Sequence, residues 1–182
     1  IYKYEDTIIK IEDTLDEKQV GLTVNLMNSV IDRVFPNNKV HYSIVPDKHY
    51  IASKENGYPA MDYDKMLSIL KENVKAEYID ITGYLELSDY YTTDSHWSQD
   101  KITDVAQRLV DSMGNEINLT PENGWKKNEL SPFYGVYYGQ SALNVAPDKI
   151  VYLTSDNTEN MTMTAMDDLG KTKKHPVYTL SM

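Results

Sequence analysis

The sequence predicts an α/β sandwich built on a parallel sheet, and two observations favour this fold class. Helical and strand patterns alternate as far as residue 113, in the order helix, strand, helix, strand, helix. This order is typical of parallel strands joined by crossover helices. The chain has 182 residues, which suits one domain spanning residues 1–182 rather than two. Such sheets carry functional sites in loops at the carboxyl ends of their strands.

Apolar spacing and breaker residues define the individual elements. The predicted helices are 5–35, 61–73 and 102–113, and the predicted strands are 39–45, 76–81, 149–154 and 160–164. The helix over 102–113 has the clearest pattern, with Ser98 expected as its N-cap and Gly114 as its C-cap. A loop containing Gly57 and Pro59 is expected before the second helix.

Charge and composition exclude several classes of function. The 18 basic and 28 acidic residues give a net charge of −10, which disfavours nucleic acid as a partner. The apolar runs are far shorter than the ~20 residues of a transmembrane helix. Cysteine is absent, so disulfides and thiol catalysis are excluded, as suits an exported bacterial protein but also many cytosolic ones. Because the chain begins at Ile1, we expect a processed product, a trimmed version or a fragment.

Tyrosine is unusually frequent, with 15 Tyr against 2 Phe and 2 Trp. A tyrosine has an apolar ring and a polar tip, and it suits half-wetted surfaces and polar ligands. Two interpretations stay open. The rings either form the surface of a secreted domain, or some of them line a groove for a sugar-like ligand.

The most informative stretch is TTDSHWS at 92–98. Asp94 and His96 are two residues apart, so in a turned loop the carboxylate can reach the imidazole. A carboxylate on one ring nitrogen fixes the tautomer and leaves the other nitrogen as a base. Trp97 could shield the ring from water, and Tyr91 could form a wall for a substrate. The alternative is that Asp94 and His96 only cap the following helix.

Three segments of the sequence resemble one known group of proteins. TDSHWS resembles the TD-H-HW motif of the DHHW proteins of Gram-positive bacteria, with Ser95 in place of the first His, and is similar to the T-D-x-H-W motif of the alginate O-acetylation proteins. IVPDKHYI at 44–51 and FYGVYYGQSALNVAPDKIVYL at 133–153 resemble segments before and after that motif. The resemblance implies an SGNH-hydrolase-like, three-layer α/β/α sandwich with a mostly parallel sheet, incomplete in this chain.

The resemblance also implies a Ser–His–Asp triad acting on acyl esters, in which Asp94 orients His96 as the general base. The sequence differs from these families at the nucleophilic serine. The x-D-S motif at the end of a strand, as in the alginate O-acetylation proteins, is missing. Ser112 lies in a predicted helix, and Ser141 and Ser181 lack the strand-then-turn context. The chain therefore either stops before its nucleophile, which we favour, or belongs to a catalytically inactive relative. In the first case the missing strands leave a sheet edge for the rest of the protein or a partner.

Two functions remain as hypotheses. The first is a serine esterase or O-acyltransferase acting on a cell-envelope or extracellular carbohydrate of a bacterium, with Trp97, Tyr91 and Lys48 as candidate substrate contacts. The second is a non-catalytic carbohydrate-binding or scaffold module of the envelope. Lys48 could also have the structural role of fixing the loop after the strand. No cofactor is expected, and no two histidines have the spacing of zinc ligands.

Overall fold

The computed structural model describes residues 1–119 and 124–178. These residues form a mixed α/β fold with short strands and small sheets, which confirms the predicted class. The strands are β1 (Tyr2–Tyr4), β2 (Thr7–Ile9), β3 (His41–Tyr42), β4 (Glu77–Tyr78), β5 (Lys126–Phe133), β6 (Asp148–Thr154), β7 (Thr162–Met166) and β8 (Thr172–Pro176). The helices are α1 (Glu17–Val34), α2 (Lys48–Asn56), α3 (Tyr63–Asn73), α4 (Thr103–Ser112), α5 (Val136–Ser141) and α6 (Asp156–Glu159).

The strands pair in twos. β3 and β4 are parallel, with Tyr42 opposite Tyr78, whereas the pairs β1–β2, β5–β6 and β7–β8 are antiparallel. The mostly parallel, three-layer sandwich that we expected is therefore not what the described residues form. The alternation of helix and strand that predicted it extends only as far as α4, and the chain after it folds into antiparallel pairs.

The long helix α1 starts later than predicted. The Asp16 side chain caps it by accepting from the Gln19 N–H, as acidic N-cap residues do. Residues 5–9, which fell within the predicted helix 5–35, belong instead to the hairpin β1–β2, which spans residues 2–9. One face of α1 packs with α3 around Val24, Leu70 and Val74. The helix ends at Val34, before the predicted stop at Pro36.

Helix α2 occupies the first part of a segment predicted to be a loop, and there the prediction is wrong, whereas Gly57 and Pro59 lie in the loop that follows the helix, as predicted. Asp47 accepts from the Tyr50 N–H and starts the helix, and Gly57 ends it with a φ of 68°. The helix was missed because its buried face carries Lys48, His49 and Ala52 rather than a row of large apolar side chains. Lys48 therefore enters the interior of the molecule from the capped first turn of α2.

Helix α4 confirms the clearest prediction, although its N-cap differs. Ser98 was expected to cap it, but the helix begins at Thr103 and the Ser98 hydroxyl donates to Asp100 instead. Gly114 follows the last turn with a φ of 76°, as expected of a C-terminal glycine. Strands β6 and β7 confirm the two predicted late strands, whereas β5, which contains Pro132, was not predicted.

A buried cluster lies under the loop that follows β4. It consists of Ile79, Ile81, Leu85, Tyr90 and Val105, and Trp97 packs against it. The loop carrying TTDSHWS is thus anchored at both ends, because a backbone bridge also joins Tyr90 to Trp97. None of the helices within residues 1–119 and 124–178 has both the length and the apolar content needed to cross a bilayer.

Candidate active site

Asp94 and His96 form a hydrogen-bonded pair in the loop that follows the buried cluster. Asp94 Oδ1 lies 2.5 Å from His96 Nδ1 and also accepts from the His96 N–H at 3.0 Å. A carboxylate oxygen only accepts, so in the neutral form of the ring Nδ1 carries the proton and Nε2 keeps its lone pair. The alternative role as caps of the next helix is not seen, since α4 begins at Thr103.

The two partners differ sharply in exposure. The Asp94 side chain is 6% exposed, whereas the His96 side chain is 79% exposed. A buried carboxylate held against an open ring is the arrangement that a general base requires, because the proton acceptor must meet a reactant. The geometry therefore permits base chemistry at His96, while the catalytic role of both residues stays a prediction.

Hydrogen bonds keep Asp94 ionised. Burial by itself raises the pKa of this carboxyl, but the Val136 N–H, the His96 ring and the His96 N–H together outweigh burial and hold the pKa below its ordinary value. Asp94 Oδ2 accepts from the Val136 N–H at 2.9 Å, which leaves Oδ1 for the histidine. Each oxygen of the carboxylate thus has its own set of donors.

The start of α5 is docked against the loop with almost no clearance. A Cβ atom on Gly135 would lie 2.4 Å from both the Thr93 carbonyl oxygen and the Asp94 Cβ. The Gly135 N–H donates to Thr93 Oγ1 at 2.9 Å, and the Tyr137 N–H donates to the Thr93 carbonyl at 3.0 Å. Glycine is required at 135 because any side chain would push α5 away from Asp94.

Asp148, the first residue of β6, binds the opposite edge of the loop. Its carboxylate accepts from the Thr92 N–H at 2.8 Å, and from the N–H and hydroxyl of Thr93 at 2.7 and 2.5 Å. Thr93 is fully buried. A residue more than fifty positions away in the sequence therefore fixes the backbone directly before Asp94.

Lys48 binds the carbonyl side of the same loop. Its Nζ donates to the carbonyl oxygens of Tyr91, Thr92 and Asp94 at 2.8, 3.1 and 3.0 Å. The residue is 3% exposed, and burial lowers the pKa of its ammonium to about 8, although Asp148 and Asp94 act in the opposite direction. All three donors already have acceptors, so the structural role explains Lys48 better than the substrate contact predicted from sequence.

The other two predicted substrate contacts, Trp97 and Tyr91, are half-buried. Trp97 is half-buried against the cluster around Tyr90. Tyr91 packs edge-on against Phe133, and its hydroxyl lies 3.4 Å from the Val151 N–H and from Ser98 Oγ. These contacts give both rings a structural role in supporting the loop, and their role as substrate contacts stays a prediction.

Sequence reasoning missed Thr93, Gly135 and Asp148 as parts of the site. They lie far apart in the sequence, yet the structure brings them to one place together with Lys48 and Asp94. The available signal was the resemblance itself, because its three segments each supply part of the site. IVPDKHYI provides Lys48, TDSHWS provides the loop, and the segment at 133–153 provides Gly135 and Asp148.

Comparison with known proteins reveals similarity of fold. No family profile and no curated protein sequence matches the chain. The structure of Bacillus cereus PatB1 superimposes with a TM-score of 0.71 and 14% identity, covering 96% of this chain and 65% of that one. A second PatB1 structure, with a sulfonyl adduct, gives a TM-score of 0.66 at 14% identity and covers 91% and 58%.

A DHHW family protein from Eubacterium siraeum is also similar in structure. Its TM-score is 0.60 at 19% identity, and the match covers 80% of this chain and 49% of that one. This chain therefore spans 49% to 65% of the length of these solved structures. At such identities the similarity concerns the fold, and it agrees with the resemblance drawn from the three sequence segments.

Proposed function

We propose that this chain supplies the acid–base half of an esterase or O-acyltransferase active site. The observation that carries the proposal is the buried Asp94 carboxylate bound to Nδ1 of an exposed His96. His96 Nε2 would take the proton of a serine hydroxyl as its oxygen attacks an ester carbonyl. The histidine would then give that proton to the departing alcohol, leaving an acyl-serine for water or a sugar hydroxyl to release.

The nucleophile comes, in this proposal, from outside the described residues. Ser95 Oγ lies 3.4 Å from Nδ1, the nitrogen that Asp94 already engages. Ser112 donates to the Arg108 carbonyl within α4, and Ser141 accepts from the Leu143 N–H. Ser181, also considered from sequence, lies outside the residues that the structure describes. The described residues alone are therefore expected to be inactive.

Support for acyl chemistry comes from the folds that resemble this one. One of the PatB1 structures carries a sulfonyl adduct, and sulfonyl reagents form adducts with nucleophilic side chains. Together with the resemblance of TDSHWS to DHHW and alginate O-acetylation motifs, this favours an SGNH-like enzyme whose substrate is an acylated carbohydrate. On the same grounds we propose a location outside the bacterial cell or in its envelope.

A second candidate function is non-catalytic carbohydrate binding. Tyr134 and Tyr138 form an aromatic pair with ring centroids 4.7 Å apart, and Tyr134 is 53% exposed. Tyr134 directly precedes Gly135, so the pair lies beside the segment that binds Asp94. An exposed aromatic ring next to a polar site suits stacking on a sugar ring. This pair could serve either function, as a substrate contact or as the binding surface itself.

Hydrolysis of a small acetyl ester by the protein as its gene encodes it tests the first function. His96→Ala should lower the rate about 10³-fold or more, as loss of a triad histidine does. His175→Ala, the same change in β8, is the matched control and should keep the wild-type rate. Equal rates for wild type and His96→Ala would remove the catalytic proposal. Fluorescence quenching by an acetylated polysaccharide, lost in Tyr134→Ala, with no hydrolysis, would favour the second function.

A further inference from the structure

A chain of hydrogen bonds runs from β6 to the carboxylate of Asp94. The Asp148 carboxylate accepts from the Thr93 hydroxyl, and the oxygen of that hydroxyl accepts from the Gly135 N–H. The next N–H along the chain, that of Val136, donates to Asp94 Oδ2. Asp148 is therefore connected to the carboxylate through Thr93 and the first turn of α5.

The direction of each bond makes this connection specific. The Thr93 hydroxyl has one proton, which it must donate in the hydrogen bond to Asp148 because a carboxylate only accepts. The hydroxyl oxygen must then present a lone pair to the Gly135 N–H. A valine at 93 has the same shape but neither donor nor acceptor, whereas a serine keeps both.

Opposite charges act on the two edges of the same peptide groups. Lys48 Nζ binds carbonyl oxygens of Tyr91, Thr92 and Asp94, and Asp148 binds the N–H groups of Thr92 and Thr93. The ammonium and the carboxylate thus align the peptide dipoles between them. Lys48 is buried and Asp148 is half-buried. A buried charge is tolerated only with such partners, so the loop carbonyls and the Asp148 carboxylate both support the Lys48 ammonium.

We infer that Asp148 and Thr93 are positioning residues for the Asp94–His96 pair. They place Val136 so that its N–H occupies Oδ2 of Asp94 and directs Oδ1 to the imidazole. Without them α5 would lose its fixed distance from the loop, and Asp94 would rotate away from Nδ1. The imidazole would then return to the tautomer with its proton on Nε2, which cannot act as a base at that nitrogen.

The tautomer of His96 in the neutral ring reports on this positioning directly, and ¹⁵N NMR of histidine-labelled protein measures it. We expect the proton on Nδ1 in wild type, and a fall of at least 5-fold in the ratio of Nδ1–H to Nε2–H in Asp148→Asn and in Thr93→Val. Thr93→Ser keeps the hydroxyl and should show the wild-type ratio. Asp100→Asn is the matched control, since Asp100 is a nearby carboxylate bound instead to Ser98 and Lys127.

Each outcome decides the inference. A Thr93→Val protein that folds and keeps the wild-type ratio overturns it, and so does one that unfolds, because the role of Thr93 would then be general stability. The consequence for catalysis rests on the proposed function. If wild type hydrolyses no ester, that function fails, while the tautomer ratio still determines whether Asp148 and Thr93 position the pair.

Discussion

The loop at 91–98 and the hairpin β7–β8 show two opposite ways of fixing a segment. The hairpin has a regular ladder of five residue pairs, from Thr162 opposite Pro176 to Met166 opposite Thr172, but all of β7 and nearly all of β8 are exposed. The loop has little regular structure, yet Lys48, Asp148 and the start of α5 all bind it. Long-range hydrogen bonds to the backbone, rather than regular secondary structure, fix the candidate site.

The largest effect should come from the buried ammonium. Lys48→Met leaves three carbonyl oxygens and the Asp148 charge without their cation, so we expect a loss of about 3–5 kcal/mol in the free energy of unfolding. Lys174→Met, the same change on the exposed hairpin strand, should stay within about 0.5 kcal/mol of wild type. Urea unfolding measures both, and equal stabilities of the two variants would contradict the contrast between loop and hairpin.

The close approach of α5 should give the next effect. Gly135→Ala places a methyl group 2.4 Å from the Thr93 carbonyl oxygen, and such overpacking costs about 1–3 kcal/mol. Gly139 lies in the same helix with nothing within 4 Å of an added Cβ. Gly139→Ala should therefore be neutral or raise stability by up to about 1 kcal/mol, as alanine does in a helix. If both variants unfold at the same urea concentration, the docking of α5 is looser than described.

Removing the Asp94 charge should have a smaller, pH-dependent effect. Asp94→Asn weakens the bonds from Val136 and His96, at a cost of about 1–2 kcal/mol near neutral pH. Because folding lowers the pKa of this carboxyl, its stabilisation is complete above the unfolded value of about 3.9 and is lost as the pH falls through the lower folded value.

Wild type and Asp94→Asn should therefore converge in stability at acidic pH. Asp168→Asn, on the exposed turn between β7 and β8, should match wild type throughout the range. A difference between wild type and Asp94→Asn that grows on acidification would show that burial, not hydrogen bonding, dominates at Asp94.

The sequence predicts well what depends on neighbouring residues. Helix α4 follows from its apolar spacing, and the Asp94–His96 contact follows from a separation of two residues. The hydrogen bonds from Lys48, Asp148 and the start of α5 to the loop join residues 42 to 56 positions apart, such as Thr92 and Asp148. Residue spacing carries no information on contacts of this kind. Helix α2 and strand β5 were missed because a buried lysine, a buried histidine and a proline contradict the patterns typical of such elements.

The most direct test of the account is the position of the proton on the neutral His96 ring in the wild-type protein. ¹⁵N chemical shifts should show Nδ1 protonated and Nε2 with its lone pair, and Asp94→Asn should shift the proton towards Nε2. A wild-type ring with its proton on Nε2, unchanged in Asp94→Asn, would show that Asp94 does not prepare the histidine to act as a base.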